Sequence, residues 1–313
     1  MRLRARNDPY KGGNLMKETK RVIALGFFDG VHIGHGALLK KTAERAWEKG
    51  CVSAAFTFDR APKEFVTGIP VPLLTDPQER SELISELYGI DEVIVAPFDR
   101  AMMTMPWQDF IETLLRGQYD AVHLVAGHDY HFGFKNQGTP EILRDYCAAH
   151  GIGCDIISKV EYQGTTVSST HIRGLIEAGE VEKAAEFLGH FHRMSGTVEH
   201  GCGIGAKRLF PTANLVPRGA AIVPARGVYA TKVTLSSGET YLGVTNVGTR
   251  PTVSDGKAVT METYLIDFTG DLYNQRIRVE FCRRLRGEKK FSSTQALHGQ
   301  IARDIEQAKE LLG

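Results

Sequence analysis

Two histidines three residues apart, His32 and His35, lie in the run Gly26-Phe27-Phe28-Asp29-Gly30-Val31-His32-Ile33-Gly34-His35. At that spacing on a first helical turn they share one face. The apolar residues Val22 to Leu25 run into Gly26, as a buried strand ends at a tight turn. Apolar periodicity from Ala37 to Trp47 then predicts a helix. A strand, a glycine turn and a helix N-terminus together present free backbone N–H groups and the positive end of the helix dipole. The segment is therefore expected to bind phosphate. Histidines at this spacing also suit a metal or a surface pair. No His-Glu pattern of a zinc protease accompanies them, which argues against metal.

Other segments could do related chemistry. Gly127-His128-Asp129-Tyr130-His131-Phe132-Gly133 follows an apolar stretch. Val167-Ser168-Ser169-Thr170-His171-Ile172-Arg173 leads into a helical pattern. The hydroxyls of Ser169 or Thr170 could simply cap that helix. Arg173, one turn on, can reach over the same helix end, where a fixed guanidinium suits a polyphosphate. Further along, Gly201, Gly203 and Gly205 precede Pro211-Thr212-Ala213-Asn214. The glycines allow backbone to approach phosphates, and the Thr and Asn oxygens are hard ligands suited to Mg²⁺. The same Pro-Thr-Ala-Asn also reads as a plain turn. Glu262 interrupts an apolar and β-branched strand. Periodicity puts it toward solvent; facing a phosphate site, it is a candidate base for a hydroxyl nucleophile.

The elements that must position these residues form two patterns. Over the first half, strands at Cys51–Phe58, Asp91–Val95, Ala121–Ala126 and Cys154–Ile157 alternate with helices starting near Thr75, Pro106 and Pro140. The proline-containing stretch between Pro62 and Pro72 reads as a loop. Such alternation predicts a parallel, doubly wound α/β sheet that binds ligands beyond the carboxyl ends of its strands. A helix from Val181 to Leu188 closes this half. From Arg193 onward the pattern becomes β-rich. Strands at Met194–Glu199, Gly227–Leu235, Tyr241–Val247, Thr260–Phe268 and Arg276–Leu285, a hairpin turn at Ser236-Ser237-Gly238 and a final amphipathic helix predict an antiparallel barrel covered by one helix. The expected division is a flexible arm over 1–20, an α/β domain over 21–188 and a barrel domain over 189–313. Residues 1–15 read as an extension or a mis-assigned start, since Met16 opens a more ordinary beginning.

Bulk composition fits this. The chain has 313 residues, 42% hydrophobic and 24% charged, with a net charge of +1. That balance suits a soluble globular protein and predicts no general attraction to nucleic acid or membrane. Cys51, Cys147, Cys154, Cys202 and Cys282 are scattered without a Cys-x-x-Cys pair. They suggest neither a zinc knuckle nor a disulfide framework, and the expected location is the cytoplasm. No apolar run is long enough to span a bilayer. A monomer or weak homo-oligomer acting on small molecules is expected.

These motifs, in this order from about Val22 to the C-terminus, resemble the prokaryotic bifunctional riboflavin kinase/FAD synthetase family. The resemblance also rests on Thr57-Phe58, on Gly243 through Thr252, on Glu262-Thr263-Tyr264-Leu265-Ile266-Asp267-Phe268, on Asp271-Leu272-Tyr273 and on Leu285-Arg286-Gly287-Glu288-Lys289-Lys290-Phe291. It implies a Rossmann-like adenylyltransferase half and a riboflavin kinase barrel. The barrel would move the γ-phosphate of ATP to riboflavin, giving FMN; the first half would move AMP from a second ATP to FMN, giving FAD and pyrophosphate. Both reactions would use Mg²⁺. By the same resemblance, His32, His35 and Arg173 act in adenylyl transfer and Glu262 takes the riboflavin hydroxyl proton. Gly26, Phe27, Asp29, Gly30, Gly34, Ser168, Ser169 and Thr170 would hold one nucleotide, and Gly201, Gly203 and Gly205 the other, with Lys207 or Arg208 able to supply the charge that Ala206 lacks. Phe58, Asp129, Phe132, Arg286 and Phe291 would contact flavin, with Asp129 serving FMN or the metal. Thr212 and Asn214 would hold Mg²⁺. Two departures stand out: Ala206 replaces the family's Arg, and Leu209 a Gly. They motivate an alternative in which the barrel binds flavin without phosphorylating it. Asp59-Arg60-Ala61-Pro62 departs modestly as well. A different nucleotidyltransferase and a flavin- or nucleotide-sensing protein are the remaining readings.

Overall fold

The computed structural model describes residues 18–199, 212–217, 221–251 and 257–313. The expected N-terminal arm and the glycine segment with Gly201, Gly203, Gly205, Ala206, Lys207 and Leu209 lie outside the described residues, except for the end of the arm.

The first half is a five-stranded parallel sheet. Its strands are β1 (Glu18–Leu25), β2 (Cys51–Phe58), β3 (Glu92–Ala96), β4 (Ala121–Gly127) and β5 (Gly153–Ile157), in the order β3-β2-β1-β4-β5. Strands buried on both faces read as continuous apolar runs, as Val22 to Leu25 does. Helix α1 (Ile33–Lys49) and helix α3 (Pro77–Tyr88) pack on one face over Val22, Ala24 and Ala55. On the other face, the π-helical stretch Phe110–Gln118 and α6 (Pro140–Ala149) cover Ile23, Leu25 and Phe56. Each fully buried Leu, Ile or Phe contributes roughly 1.5–3 kcal/mol through burial. A two-stranded ribbon, β6 (Glu161–Tyr162) and β7 (Thr165–Thr166), precedes α7 (Ser169–Ala178) and α8 (Val181–Leu188).

The second half is a closed barrel in the order β10-β11-β12-β9-β8-β13. Its strands are β8 (His192–Glu199), β9 (Ala213–Pro217), β10 (Gly227–Leu235), β11 (Thr240–Pro251), β12 (Lys257–Leu265) and β13 (Arg276–Arg286), and their pairings are antiparallel. Met194, Tyr229, Val247, Met261 and Phe281 fill its interior. The buried hydroxyls of Thr231, Thr245 and Thr263 satisfy one another at 2.9 Å across three strands. Helix α9 (Thr294–Leu312) lies outside the wall, with Ile305 and Ala308 against Val228, Ala230 and Val244.

Several boundaries differ from the sequence reading, each for a local reason. Helix α1 starts at Ile33 rather than Ala37, because the His32 ring caps it by accepting the His35 N–H at 3.2 Å. Within the proline-containing stretch, Pro62–Thr67 is a short helix, α2, with Pro62 in its first turn and Gly68 as a left-handed cap. Another short helix, α4 (Arg100–Thr104), is capped by Asp99. Trp107–Asp109 forms one helical turn, α5, before the π-helical stretch. Ala213 and Asn214 form no turn; they open β9 and pair with Thr263 and Glu262 of β12.

The two halves are joined through α3 and the helices α7 and α8. Glu79 Oε1 accepts from Ser195 Oγ at 2.7 Å, and Arg193 Nη1 donates to Glu86 at 2.8 Å. Arg276 and Arg278 of β13 reach Glu82 and Glu86. The Ile222 N–H donates to the Leu73 carbonyl at 2.7 Å. Ile172, Ile176 and Leu188 share one apolar cluster with the barrel interior.

Candidate active sites

The first cavity, about 580 Å³, opens beyond the carboxyl ends of β1, β4 and β5, where a parallel sheet binds ligands. The turn Gly26–His35 forms one wall. Phe28 (φ 57°) and Val31 (φ 43°) hold left-handed backbone, as does Gly30 at φ 80°. Such conformations cost about 1–3 kcal/mol each in non-glycine residues and persist only when neighbours over-determine them. Here they do. Asp29 Oδ1 accepts from the Leu74 and Thr75 N–H groups at 2.8 and 3.2 Å. Thr75 Oγ1 accepts the Gly30 N–H, and Ser169 Oγ donates to the Asp29 carbonyl at 3.0 Å. A Cβ on Gly30 would meet Leu74 Cδ1 at 2.6 Å, so glycine is required there.

The clamped turn stacks His32 on His35, with ring centroids 3.6 Å apart. Because His32 Nδ1 accepts a backbone N–H, its proton lies on Nε2. Burial lowers the His32 value to about 4 and holds His35 well below 6.5, so both rings are neutral donors near pH 7. His35 Nδ1 is buried with no hydrogen-bond partner among the described residues, as is Arg173 Nε.

The opposite wall is the N-terminus of α7. Ser168 is its N-cap and accepts the His171 N–H at 3.2 Å, so the cap is not Ser169 or Thr170. Ser168, Ser169, Thr170 and Arg173 all line the cavity. Arg173 Nη2 also lies 3.4 Å from Asp29 Oδ2. Gly26, Phe27 and Gly34 line it too, whereas Asp29 and Gly30 are not among its lining residues: Asp29 is 3% exposed and serves the turn. Burial raises the Asp29 carboxyl above its usual range, against the Thr75 hydrogen bond and Arg173. The far end of the cavity is apolar. Phe58 packs edge-on to Phe98 at 5.0 Å, and Phe132 against Tyr130 and Phe110. Exposed Asp129 also lines the cavity, with Oδ1 3.9 Å from His128 Nδ1.

The second cavity, about 600 Å³, lies outside the barrel between its wall and α9. Thr212, Asn246 and Glu262 line it, with Arg286, Phe291 and Asp304. Glu262 alternates with buried Met261 and Thr263, so period two does send it outward, into this cavity. Asn214 is paired with Glu262 across the strands. The Arg286 guanidinium grips Asp304, with Nη2 2.8 Å from Oδ2, and lies 5.7 Å from the Phe291 ring centroid. Gln300 donates to the same carboxylate at 2.8 Å.

Two family models match the chain: FAD synthetase over residues 15–171 and riboflavin kinase over 188–312. The relative from Listeria monocytogenes named bifunctional riboflavin kinase/FMN adenylyltransferase is 34% identical, over 92% of this chain and 91% of its own. Relatives of the same name from Pseudomonas fluorescens and Escherichia coli (strain K12) are 35% and 36% identical, covering 95% and 93% of both chains. The chain belongs to the bifunctional riboflavin kinase/FMN adenylyltransferase family. A crystal structure described as a macrolide-efflux protein from Streptococcus pneumoniae shares the fold, with a TM-score of 0.82, 30% identity and coverage of 93% of this chain and 94% of that one. Among the described residues, no helix is long and apolar enough to cross a membrane.

In a riboflavin kinase/FMN adenylyltransferase, further residues gain meaning that sequence reading passed over. Arg80 is fully buried; Nη1 donates to the Phe27 carbonyl at 2.6 Å and its guanidinium stands 4.2 Å from the Phe27 ring centroid. It sits inside an ordinary amphipathic helix, so no sequence signal marks it. Phe98, Met102 and Met103 extend the apolar end of the first cavity. A π-helical neighbour and two short capped helices place them, and simple periodicity finds none of these. Asn246 and Asp304 join the second cavity only because the barrel closes and α9 folds back. Ser293 caps α9 by accepting the Ala296 N–H at 3.1 Å, a start that the helix's apolar periodicity alone does not mark.

Proposed function

We propose that this chain phosphorylates riboflavin to FMN in its barrel half, residues 189–313, and adenylylates FMN to FAD in the half spanning 21–188. The observation that carries the reading is the separation of two chemistries. Neutral histidines, a helix N-terminus and Arg173 meet in one cavity, and a carboxylate beside hard oxygen donors lines another.

In the first cavity FMN brings its own nucleophile, a phosphate oxygen. The chain's task is positioning and charge neutralisation. The apolar end holds the isoalloxazine ring, with Phe58 and Phe132 in contact and Asp129 at its polar edge. His32 Nε2–H and His35 donate to the α-phosphate. The α7 N-terminus, the Ser168–Thr170 segment and Arg173 receive the leaving pyrophosphate. Neutral imidazoles supply N–H groups without ion-pairing so strongly that product is retained.

In the second cavity the nucleophile is a hydroxyl, a poor one at neutral pH. Glu262 accepts its proton as it attacks the γ-phosphate. Phe291 packs on the flavin. Arg286, already engaged by Asp304, fixes the wall against which the flavin lies. Thr212 lines the cavity, and Asn214, which is not among its lining residues, lies opposite Glu262 on the neighbouring strand; their neutral, hard oxygens would suit Mg²⁺ carried by ATP. Bound there, the ion would supply positive charge to the transferring phosphoryl group. Gly201, Gly203, Gly205 and Lys207 remain the proposed ATP loop.

A reading with a silent barrel, motivated by Ala206 and Leu209, is not favoured, because relatives matched over 92–95% of the chain carry the bifunctional name. The proposed setting is the cytoplasm. Incubation with riboflavin, ATP and Mg²⁺, followed by chromatography, is expected to give FMN and then FAD, and excess EDTA to stop both. Absence of FMN from riboflavin, with FAD formed from supplied FMN, would overturn the kinase assignment.

A further inference from the structure

The strained turn is held from one more direction, by the junction between the two halves. Gly189 closes α8 as a left-handed cap, and a Cβ there would sit 2.8 Å from Ile33 Cγ2, so the junction touches the start of α1. The next residue, His190, sends its ring into the first half. Nε2 lies 3.0 Å from the Gly30 carbonyl, and Nδ1 lies 2.9 Å from the Phe191 carbonyl. Both neighbours accept and neither donates. Burial and Arg193 lower the His190 value against these two carbonyls, so the ring is neutral near pH 7 and carries one N–H. With that proton on Nε2, the ring supplies the donor for Gly30. Thr75 accepts the Gly30 N–H on the other side of the same residue. The peptide between Gly30 and Val31 is thereby pinned immediately before His32, whose ring caps α1 and stacks on His35. A second connection runs in parallel: Ile222 holds the Leu73 carbonyl, and the next two N–H groups hold Asp29.

We propose that His190 is a positioning residue for adenylyl transfer: from the junction with the barrel it holds the Gly30 carbonyl and so fixes the turn that aims His32 and His35. This rests on the adenylyltransferase reading of the first cavity. It assigns a junction residue outside that cavity a role in orienting the histidines rather than in touching substrate.

Two substitutions separate the two ring nitrogens. In His190→Asn the amide stands where Nδ1 was and falls short of Gly30; in His190→Gln it reaches the Nε2 position and can donate there. The full-length chain is assayed for FAD formation from FMN and ATP, for FMN formation from riboflavin, and for amide hydrogen exchange over residues 26–36. In H190N, kcat for FAD formation is expected to fall about tenfold, the loss of roughly one hydrogen bond's worth of positioning, with KM for FMN within about twofold. Exchange at Val31 to Ile33 should quicken. H190Q should recover kcat to within about threefold and restore the protection. Riboflavin phosphorylation should hold in both. Equal activity in H190N and wild type, an equal loss in H190N and H190Q, or a parallel fall in phosphorylation overturns the proposal. If the wild type makes no FAD, the adenylyltransferase reading fails; exchange in H190N then still decides the positioning claim, and unchanged protection overturns it.

Discussion

The two cavities are nearly equal in volume yet built on opposite plans. The first is made of chain ends: a strand stop, a strained turn and two helix N-termini converge, and most of its polar groups are backbone N–H or neutral side chains. The second is made of a wall and a cover: outward-facing side chains of a closed barrel meet α9 through the Arg286–Asp304 pair. On the proposed assignment, the difference follows the nucleophile each handles. A phosphate needs its charge balanced and no base. A hydroxyl needs a carboxylate, and only the second cavity offers one from a strand interior.

The sharpest way to break this contrast is a pair of substitutions. His35→Ala is expected to lower FAD formation about 10²–10³-fold while sparing riboflavin phosphorylation. Glu262→Ala should lower phosphorylation about 10²–10⁴-fold and spare FAD formation from supplied FMN. Separate product assays read both, and a single substitution that removes both activities from a folded chain would merge the two sites. Next in size is Asp304→Ala. Asp304 is buried, and removing one partner of such a pair costs about 3 kcal/mol, visible as a lower melting temperature. Phosphorylation should suffer with it, because Arg286 loses its anchor.

A smaller effect tests the contact between the halves. Burial pushes the Glu79 carboxyl up to about 7, against its hydrogen bond from Ser195. A carboxyl with a folded value above its unfolded one binds a proton preferentially in the folded state. Its favourable contribution is therefore complete below about pH 4.5 and is lost as pH rises through 7. Glu79→Gln, which keeps an oxygen for Ser195, should stabilise the fold by up to about 3 kcal/mol at pH 8 and by almost nothing at pH 4. Denaturation at the two pH values reads this, and an equal gain at both would refute the assignment. The smallest expected effect is Ser169→Ala, which removes one hydrogen bond to the Asp29 carbonyl. It should cost about 1 kcal/mol, a few-fold loss confined to FAD formation.

The sequence carried the architecture well wherever period and punctuation agree. Cys51–Phe58 and Gly227–Leu235 have the predicted bounds, because each is an apolar or alternating run between turn residues. It carried the first cavity's polar wall too, since His32, His35, Ser168 and Arg173 all sit next to strand ends or helix starts. Illegible were features that depend on distant partners. A histidine as helix cap breaks the usual Ser/Thr/Asp/Asn preference, so α1 seemed to start late. Asp29 looked like a ligand residue, but its carboxylate is consumed by two N–H groups some 45 residues away. Glu262 illustrates the opposite case: its outward direction was correct, and only tertiary closure reveals that outward means into a cavity.

Among the described residues, the barrel's interior and its pocket share none: Tyr229, Val247, Met261 and Phe281 hold it together from within, and the cavity uses alternate positions on the same strands. Adjacent residues on one strand thus answer to different selective demands. Exchanges at outward positions that do not also pack under α9, as Val228 and Val244 do, can change substrate preference in the barrel while leaving its interior intact. The first cavity has no such freedom, because the turn that shapes it is also what its neighbours are folded around.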